Sequence, residues 1–461
     1  GANWTNVNGN FPDLPPDGVV RGIDASKYDA GKAYIVIEHH QQGNFEPHVY
    51  KTDDFGENWT KIVDGIADSP LSYARSIQED PVRPGLLYLG TENVLYVSFD
   101  DGEGWQPLMN NMPVSPMYGI VVQEHFNDLV VGTYGRGFWI MDDITPLQQL
   151  TPEVVASASH LFEPRDTYRF RSVTTSRPIP NDPSAGENPQ YGSSINYWLG
   201  DEHVDGVTLR ITDSSGRTVR TIEGSGGAGI NRVWWNLQDE PSTQIKLRTK
   251  PLYADWFEIG PEGWRSGGQR LSMVVPPGTY SVTLEVDGQN QTQQLQILKD
   301  PNSTGTESDI RAQVAMFSEL REDYEEVTDM VNRIEWVRRQ LYDLKAVLDD
   351  RGGAADVLEG VDELDEKLIA IEDNLVRLLT TGSGDGVRWA PKLAEELRYL
   401  SQNISNGDFR PTNQAREVQT ILNERVIQYR GEFNRLFEED VAQFNRNLLE
   451  RNLAPLISDL D

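Results

Sequence analysis

Two octapeptides, TDDFGENW at Thr52–Trp59 and SFDDGEGW at Ser98–Trp105, decide how the first third of the chain is interpreted. Both fit the pattern S/T-x-D-x-G-x-x-W, and the stretch GANWTNV at Gly1–Val7 contains the second half of it. The tryptophans of the three stretches are 55 and 46 residues apart along the chain. A period of about 50 residues built from short strands is typical of a β-propeller, in which one repeat forms one four-stranded blade.

Each position of the pattern has a physical role in a tight turn. The hydroxyl and carboxylate groups can accept hydrogen bonds from backbone N–H groups, and the glycine permits a positive φ. The tryptophan begins the outer strand and packs between neighbouring blades. The residues concerned are Thr52, Asp54, Gly56 and Trp59 in the first turn, and Ser98, Asp100, Gly102 and Trp105 in the second.

The stretches between the turns predict four strands in each of two blades and three strands in another. In the first blade the predicted strands are Val19–Ala25, Lys32–Glu38, His48–Thr52 and Trp59–Val63. In the second they are Tyr73–Glu79, Leu86–Thr91, Val94–Ser98 and Trp105–Leu108, and in the third Tyr118–Gln123, Leu129–Thr133 and Phe138–Met141. We expect Thr5–Val7 to be the outer strand of a further blade.

Two complete and two partial blades cannot close a ring, and their open edges would be sticky. The chain also begins in the middle of its own repeat, which favours cleavage or truncation as the origin of this start. We therefore expect one partner of the chain to be the N-terminal remainder of the same propeller, encoded by the same gene and possibly present as a separate fragment.

After Thr151 the pattern changes to short alternating segments separated by turns, which is typical of a β-sandwich of immunoglobulin-like type. The predicted strands are Ile195–Leu199, Val207–Thr212, Thr218–Glu223, Arg232–Leu237, Gly278–Val286 and Gln293–Leu298. The stretch PPGTYSVTLEV at Pro276–Val286 looks like the last hairpin of such modules in bacterial secreted proteins. We expect this sandwich to occupy residues 148–300.

Apolar residues three and four positions apart predict long helices after a linker at Lys299–Ser308, with Thr306 and Asp309 as a capping pair. The helices are expected from Val314 to Leu348, from Val357 to Leu378, from Leu393 to Ile404 and from about Thr412 to Arg451. In the last of them we expect Val418, Ile421, Tyr429, Phe433, Leu436, Phe444 and Leu448 to face inward. The predicted product is an antiparallel bundle, which would act as a structural spacer or as a partner-binding coiled coil.

The predicted fold class is therefore multidomain, β plus α. Partial propeller blades occupy residues 1–147, an Ig-like β-sandwich 148–300 and a bundle of long helices 301–461.

Composition excludes several classes of function. The chain has 461 residues, a formal net charge of -31 and no cysteine. The charge argues against nucleic-acid binding, and the absence of cysteine excludes disulfides and thiolate metal sites within the chain. No apolar run is long enough for a transmembrane helix. Arginine outnumbers lysine by 31 to 10 on this acidic background, which suggests a salt-rich environment, although an acidic secreted protein kept soluble by charge fits equally well.

One candidate binding site follows from propeller geometry. Because the octapeptide turns join the third and fourth strands on one face, the loops that join the second and third strands open on the opposite face. Those loops carry Glu38, His40, Glu92, Tyr134 and Arg136, a set that suits polar recognition of a sugar or peptide and could hold a metal ion. The alternative is that Arg136 and the acids pair with each other and fasten adjacent blades.

A second candidate is PLYADWFEIGPEGW at Pro251–Trp264, whose Tyr253, Trp256, Phe257 and Trp264 could stack on sugar rings or pack as a lid. The chain has no GxSxG, GxxxxGK[ST] or HExxH motif. The sequence assigns no catalytic residue, metal ligand or cofactor.

The octapeptides are identified as the Asp-box, or BNR, repeat, and the chain resembles the C-terminal part of large bacterial proteins with sortilin/VPS10-like propellers, often labelled glycosyl hydrolases. EDPVRPGLLYLGTE at Glu79–Glu92, NDLVVGTYGRGFWIMDDITPL at Asn127–Leu147 and GINRVWWNL at Gly229–Leu237 fit that resemblance. It implies a secreted, periplasmic or cell-surface bacterial protein whose propeller binds a peptide, protein or glycan. The family label implies an alternative, a glycoside hydrolase whose catalytic residues lie largely in the missing N-terminal blades.

Overall fold

A computed structural model describes residues 4–170, 186–202, 206–254, 256–351, 355–382 and 384–459. Three small β-sheets follow one another along the chain, two further sheets share a second core, and a helical region comes last. Sheets therefore dominate the first two thirds of the chain and helices the final third. Gly1, Ala2 and Asn3 of the GANWTNV stretch lie outside the described residues.

The first three sheets are antiparallel meanders, called here sheets 1, 2 and 3. Sheet 1 contains β1 (Val19–Ala25), β2 (Ala33–His39), β3 (Asn44–Thr52) and β4 (Thr60–Lys61). Sheet 2 contains β5 (Ala74–Glu79), β6 (Leu87–Thr91), β7 (Leu95–Ser98) and β8 (Gln106–Pro107). Sheet 3 contains β9 (Met117–Gln123), β10 (Asp128–Thr133) and β11 (Phe138–Met141) and has no fourth strand among the described residues.

Sheet 2 lies between the other two sheets, and a separate apolar core fills each junction. Tyr34 and Val36 of sheet 1 pack against Leu87 and Leu89 of sheet 2. On the other face of sheet 2, Tyr88 and other apolar residues pack against sheet 3. This face-to-face succession of meanders is the arrangement of consecutive propeller blades.

The two outer faces of this stack are only partly covered. Val20 and Ile23 of β1 are exposed on one side, and Phe138 and Ile140 of β11 are exposed on the other. The prediction of an outer strand at Thr5–Val7 is wrong, because that segment has irregular backbone and no strand pairs with it. The chain after it forms a 3-10 turn at Asn8–Asn10 and then packs on sheet 1, where Phe11 stacks on Trp59 at 4.7 Å between ring centroids.

Both octapeptide turns use the same hydrogen bonds. In the first, the Thr52 hydroxyl oxygen accepts from Gly56 N at 3.0 Å, and the Asp54 carboxylate accepts from Asn58 N at 2.9 Å. In the second, Ser98 Oγ accepts from Gly102 N at 2.9 Å, while Asp100 accepts from the N–H of Gly104 at 2.9 Å. The glycines have φ of 87° and 89°, so each turn needs a residue that tolerates the left-handed region.

The second tryptophan of the pattern joins two sheets, because the Trp105 indole N–H donates to the Ile62 carbonyl oxygen at 3.0 Å. Trp105 is buried, in contrast with Trp4, which is exposed.

Two sheets share the second core. One contains β12 (Ser159–Leu161), β14 (Ser193–Leu199) and β17 (Gly229–Trp235), and the other β13 (Thr167–Arg169), β15 (Thr208–Thr212), β16 (Thr218–Glu223), β20 (Gly278–Val286) and β21 (Gln289–Lys299). Strands β12 and β13 were not predicted, since three residues are too few to show an alternating pattern. Two short helices, α1 (Thr145–Gln149) and α2 (Pro152–Val155), precede these sheets. A small hairpin of β18 (Lys246–Leu247) and β19 (Arg265–Ser266) lies between β17 and β20 along the chain.

The helical region begins with a 45-residue helix, α3 (Glu307–Arg351), at the predicted cap, where Thr306 Oγ1 accepts from Asp309 N at 3.2 Å. The other helices are α4 (Ala355–Leu375), α5 (Asp385–Arg388), α6 (Leu393–Ser405), α7 (Asn413–Arg435), a π-helical turn at Leu436–Val441 and α8 (Ala442–Glu450). The inward placement of Val418 and Ile421 is wrong, because both are exposed. Leu422 and Val426 are buried instead, so the apolar face of α7 is rotated relative to the prediction.

Candidate functional site

The centre of the candidate site is Arg75, a residue that the sequence did not single out. It lies in β5, the first strand of sheet 2, and its side chain is only 5% exposed. Strand β5 contacts both sheet 1 and sheet 3, so a long side chain at this position can reach both neighbouring sheets. A buried guanidinium requires acceptors to offset the loss of hydration.

Two carboxylates supply those acceptors. Arg75 Nη1 forms an ion pair with Glu38 Oε2 from sheet 1, and Arg75 Nε donates to Glu92 Oε2 at 2.7 Å. Glu38, 1% exposed, also forms an ion pair with Arg21. Burial alone lowers the pKa of Arg75, but the hydrogen bond and charge of Glu92, together with the charge of Glu38, raise it above its ordinary value. The guanidinium therefore stays charged, and one cation fastens sheet 1 to sheet 2.

Aromatic rings enclose this ion cluster. The Arg75 guanidinium lies 4.7 Å from the centroid of the Tyr73 ring and 4.8 Å from that of Tyr118. His40 stacks on Tyr73 with 5.0 Å between ring centroids and 12° between planes. Tyr134 of sheet 3 continues the row, 5.5 Å from Tyr118. Guanidinium groups placed over aromatic faces gain cation–π energy, so the rings also hold the cation in position.

We call Glu38, His40, Tyr73, Arg75, Glu92 and Tyr118 the Arg75 cluster. Three of the five residues proposed from the sequence belong to it, namely Glu38, His40 and Glu92. His40 Nδ1 lies 3.3 Å from Glu38 Oε1, and Tyr134 lies at the edge of the cluster.

Arg136 lies apart from the cluster. Its side chain is exposed and makes no ion pair with any residue that the structure describes. Its carbonyl oxygen accepts from the Trp139 indole N–H at 3.1 Å. The sequence left open that the acids of the site pair with Arg136 and so fasten adjacent blades. In the structure the acids do pair with an arginine, but that arginine is Arg75.

One signal in the sequence could have located Arg75. The segment SYARSIQE at Ser72–Glu79 places an arginine between Ala74 and Ile77, within the predicted strand Tyr73–Glu79. A charged residue at such a position must be paired, and the acids of the neighbouring loops are the available partners.

The surface above the cluster is aromatic. Tyr134 is 71% exposed, Tyr118 47% and Phe45 42%, and Phe45 lies 6.0 Å from the buried Tyr73 ring. Within the described ranges, no group of three or more His, Asp or Glu side chains is arranged to hold a metal ion. The site thus presents aromatic rings outside a charge cluster whose two carboxylates pair with Arg75, and in the case of Glu38 also with Arg21.

The described residues define a chain of three consecutive blade-like sheets, a two-sheet unit and a helical region. No protein-family model and no curated protein matches the chain. Solved structures similar to part of it include the GH74 xyloglucanase from Xanthomonas campestris, with 15% identity and a TM-score of 0.23, over 60% of this chain and 37% of that one.

Two other solved structures are similar at the same level. The GH74 enzyme of Niastella koreensis has 12% identity and a TM-score of 0.23, over 60% of this chain and 38% of that one. The extracellular domain of a hybrid two component system from B. thetaiotaomicron has 13% identity and a TM-score of 0.21, over 60% of this chain and 31% of that one. The chain thus spans less than two fifths of these proteins, and TM-scores this low carry no argument about its function.

Among the helices of the described residues, none combines the length and apolar character needed to span a lipid bilayer.

Proposed function

We propose that the chain is part of a secreted, periplasmic or cell-surface bacterial protein that binds a peptide, protein or glycan through the face above the Arg75 cluster. The observation that carries this proposal is the row of exposed rings, Phe45, Tyr118 and Tyr134, contributed by sheets 1 and 3 around a fixed ion cluster. Aromatic side chains that stay exposed on one face are a frequent basis of recognition, because they offer large apolar area at low entropic cost.

The charges of the cluster favour binding over catalysis by these residues. A glycosidase needs one carboxylic acid that donates a proton and a second carboxylate that acts as nucleophile or base. Here Glu38 and Glu92 share the guanidinium of Arg75, and Glu38 is buried. Neither acid is free for those roles, so the alternative function, glycoside hydrolysis, would depend on residues of blades N-terminal to this chain.

The architecture supports the same proposal. We propose that sheets 1 to 3 are Asp-box blades within residues 1–147, that residues 148–300 form an Ig-like sandwich and that residues 301–461 form a bundle which positions the blades. The exposed apolar faces at Val20 and Ile23 and at Phe138 and Ile140 would then pack against the N-terminal remainder of the same propeller. The acidic composition is compatible with a salt-rich environment.

Binding of the whole 461-residue chain to a glycan array and to a phage-displayed peptide library tests the proposal. We expect Tyr134→Ala and Tyr118→Ala each to weaken the selected interaction about tenfold, the effect of losing one stacked ring. Tyr399→Ala, which removes an exposed tyrosine from α6, is the matched control and should leave binding unchanged.

Three results would count against this function. Equal loss of binding in the Tyr399 variant would show that the effect is not local. Unchanged binding after both Tyr118→Ala and Tyr134→Ala would show that the aromatic row does not bind the ligand. Turnover of polysaccharides that is abolished by Glu92→Gln would favour the hydrolase.

A further inference from the structure

A short segment before β1 folds back across the outer face of sheet 1, and we call its residues 10–18 the strap. Phe11 of the strap stacks on Trp59 and meets Tyr50 edge-on, with 5.2 Å between the centroids of Phe11 and Tyr50. Together with Leu14, these rings pack on apolar residues of β2 and form a small core that is separate from the junction with sheet 2. The strap thus covers part of the outer face, and a groove of about 1010 Å³ stays open beside it.

Polar contacts also fasten the strap to sheet 1. The Tyr50 hydroxyl donates to the Pro12 carbonyl oxygen at 3.2 Å. His39 Nε2 lies 2.9 Å from the Pro15 carbonyl oxygen, which can only accept, so this ring nitrogen carries the proton. Gly18 passes so close to the same ring that a Cβ at this position would lie 2.4 Å from His39 Cε1. The strap therefore packs directly on His39.

His39 contacts a second buried histidine. His39 and His48 are each 1% exposed, and their rings meet edge-on with 4.8 Å between centroids. Within the described ranges, neither ring nitrogen of His48 has a hydrogen-bond partner, and His39 Nδ1 has none either. A proton added to His48 in the closed structure would therefore be an uncompensated buried charge.

The charges that act on His48 oppose its protonation as well. Burial, and after it Lys61 of β4 and His39, lower the pKa of His48 from 6.5 to about 4. Two acids near the strap, Asp13 and Glu46, act instead on Tyr50, whose pKa is raised to about 12 by burial and by their charges. Neither Lys61 nor His39 can offset a proton on His48, because Lys61 is a cation and His39 can only become one.

We infer that acid releases the strap: protonation of the buried His48 detaches residues 10–18 from sheet 1 and uncovers the apolar surface of Ile35 and Ile37 beneath them. Removing the strap brings water to His39 and, next to it, to His48, which relieves the burial that opposes the proton. A segment held by a few hydrogen bonds and a small core opens at lower cost than the sheet on which it lies. This inference goes beyond the binding function proposed above and does not depend on it.

The sign follows from proton linkage. Because the released form binds the proton more tightly than the closed form, the closed form is favoured above about pH 6.5 and loses ground as the pH falls toward 4. Each pH unit within this range should shift the ratio of released to closed molecules about tenfold toward release.

Two spin labels on the whole chain test the inference. The chain has no cysteine, so labels attach only to introduced thiols, and Pro16→Cys in the strap and Glu57→Cys in the first octapeptide turn are both at exposed positions. By pulsed electron paramagnetic resonance we expect one narrow distance at about pH 7 and an added broad component at about pH 4.5, which grows as the pH falls. The absence of the broad component at the lower pH would overturn the inference.

Histidine variants of the labelled chain identify the titrating group. His48→Leu should keep the strap closed at both pH values, because the replacement stays uncharged in the buried position. The matched control is His125→Leu, which removes an exposed histidine from the loop between β9 and β10 and should leave the pH dependence unchanged. Release in His48→Leu equal to that in the parent chain would contradict the inference, and thermal unfolding at about pH 7 checks that each variant is folded.

A glycine pair tests the contact with His39 without any titration. Gly18→Ala should release the strap even at about pH 7, because the new Cβ would clash with the buried His39 ring. Gly9→Ala is its matched control in the preceding turn, where a Cβ would meet nothing within 4 Å, and should keep the narrow distance. A strap that stays closed in Gly18→Ala would show that its position does not depend on His39, which would also overturn the inference.

Discussion

Replacing Arg75 with methionine should destabilise the junction between sheets 1 and 2. Methionine keeps an unbranched side chain of similar reach but removes the charge that two carboxylates share. Glu38, 1% exposed, would be left with Arg21 alone, whose side chain is 35% exposed. Glu92 is 19% exposed and can recover part of its hydration, so most of the cost falls on Glu38.

The magnitude follows from the burial of that pair. Removing one partner of a buried ion pair costs about 3–5 kcal/mol, because the remaining charge is left uncompensated. Arg21 still compensates part of the charge of Glu38, so we expect the lower end, about 3 kcal/mol of unfolding free energy. Adding Glu38→Gln to Arg75→Met removes the stranded charge and should restore about 2 kcal/mol, a coupling within the range of contacting residues.

Urea unfolding followed by tryptophan fluorescence measures these differences, since Trp59 and Trp105 directly precede β4 and β8, the last strands of the first two sheets. Arg217→Met is the matched control, because Arg217 pairs with Asp213 on the surface and its side chain is 70% exposed. An exposed pair is worth less than about 1 kcal/mol. If Arg75→Met costs no more than this control, or if the double variant is as unstable as the two single changes added together, Arg75 does not fasten the sheets.

Two further predictions concern the same sheets. The pKa of His48, which is 1% exposed, is lowered from 6.5 to about 4 by burial and by Lys61. Between pH 6.5 and pH 4 the unfolded chain binds a proton at His48 and the folded chain does not, so the unfolding free energy should fall by about 3 kcal/mol over this range. Urea unfolding at a series of pH values measures this fall, and the variant His48→Leu should lack it. Both Gly56 and Gly102 have positive φ, but only at Gly102 would a new Cβ clash with Ile62, at 2.6 Å. Gly102→Ala should therefore lower the unfolding free energy by about 1 kcal/mol more than Gly56→Ala, as measured by thermal unfolding. Equal losses in the two variants would show that this clash has no effect on stability.

The sequence predicts the sheets well where the repeat fixes their register. Each octapeptide places a turn, so the strand that leads into it ends at the predicted residue, Thr52 for β3 and Ser98 for β7. The prediction fails at Thr5–Val7, where the motif is present but no neighbouring strand is there to pair with it. A strand is stabilised by cross-strand pairs, and half a motif supplies none.

The candidate site shows a different limit. Loop position alone brought Glu38, His40 and Glu92 to one face, because that inference needs only the order of strands. The order of strands does not show which cation pairs with these acids, because it places both Arg75 and Arg136 near the loops of this face. Burial decides the choice: Arg75 is inside and must be paired, whereas Arg136 is outside and remains hydrated.

The same geometry separates the residues that hold the face together from those that can touch a ligand. Arg75 is buried next to Tyr73 and Tyr118 and is paired with Glu38 and Glu92, so its charge is neutralised within the protein. Tyr134 is exposed and makes no contact on which the sheet junction depends. Substitution of Arg75 should therefore lower both stability and binding, whereas substitution of Tyr134 should lower binding alone. If the Tyr134 variant also lost stability, the aromatic row would have a structural role.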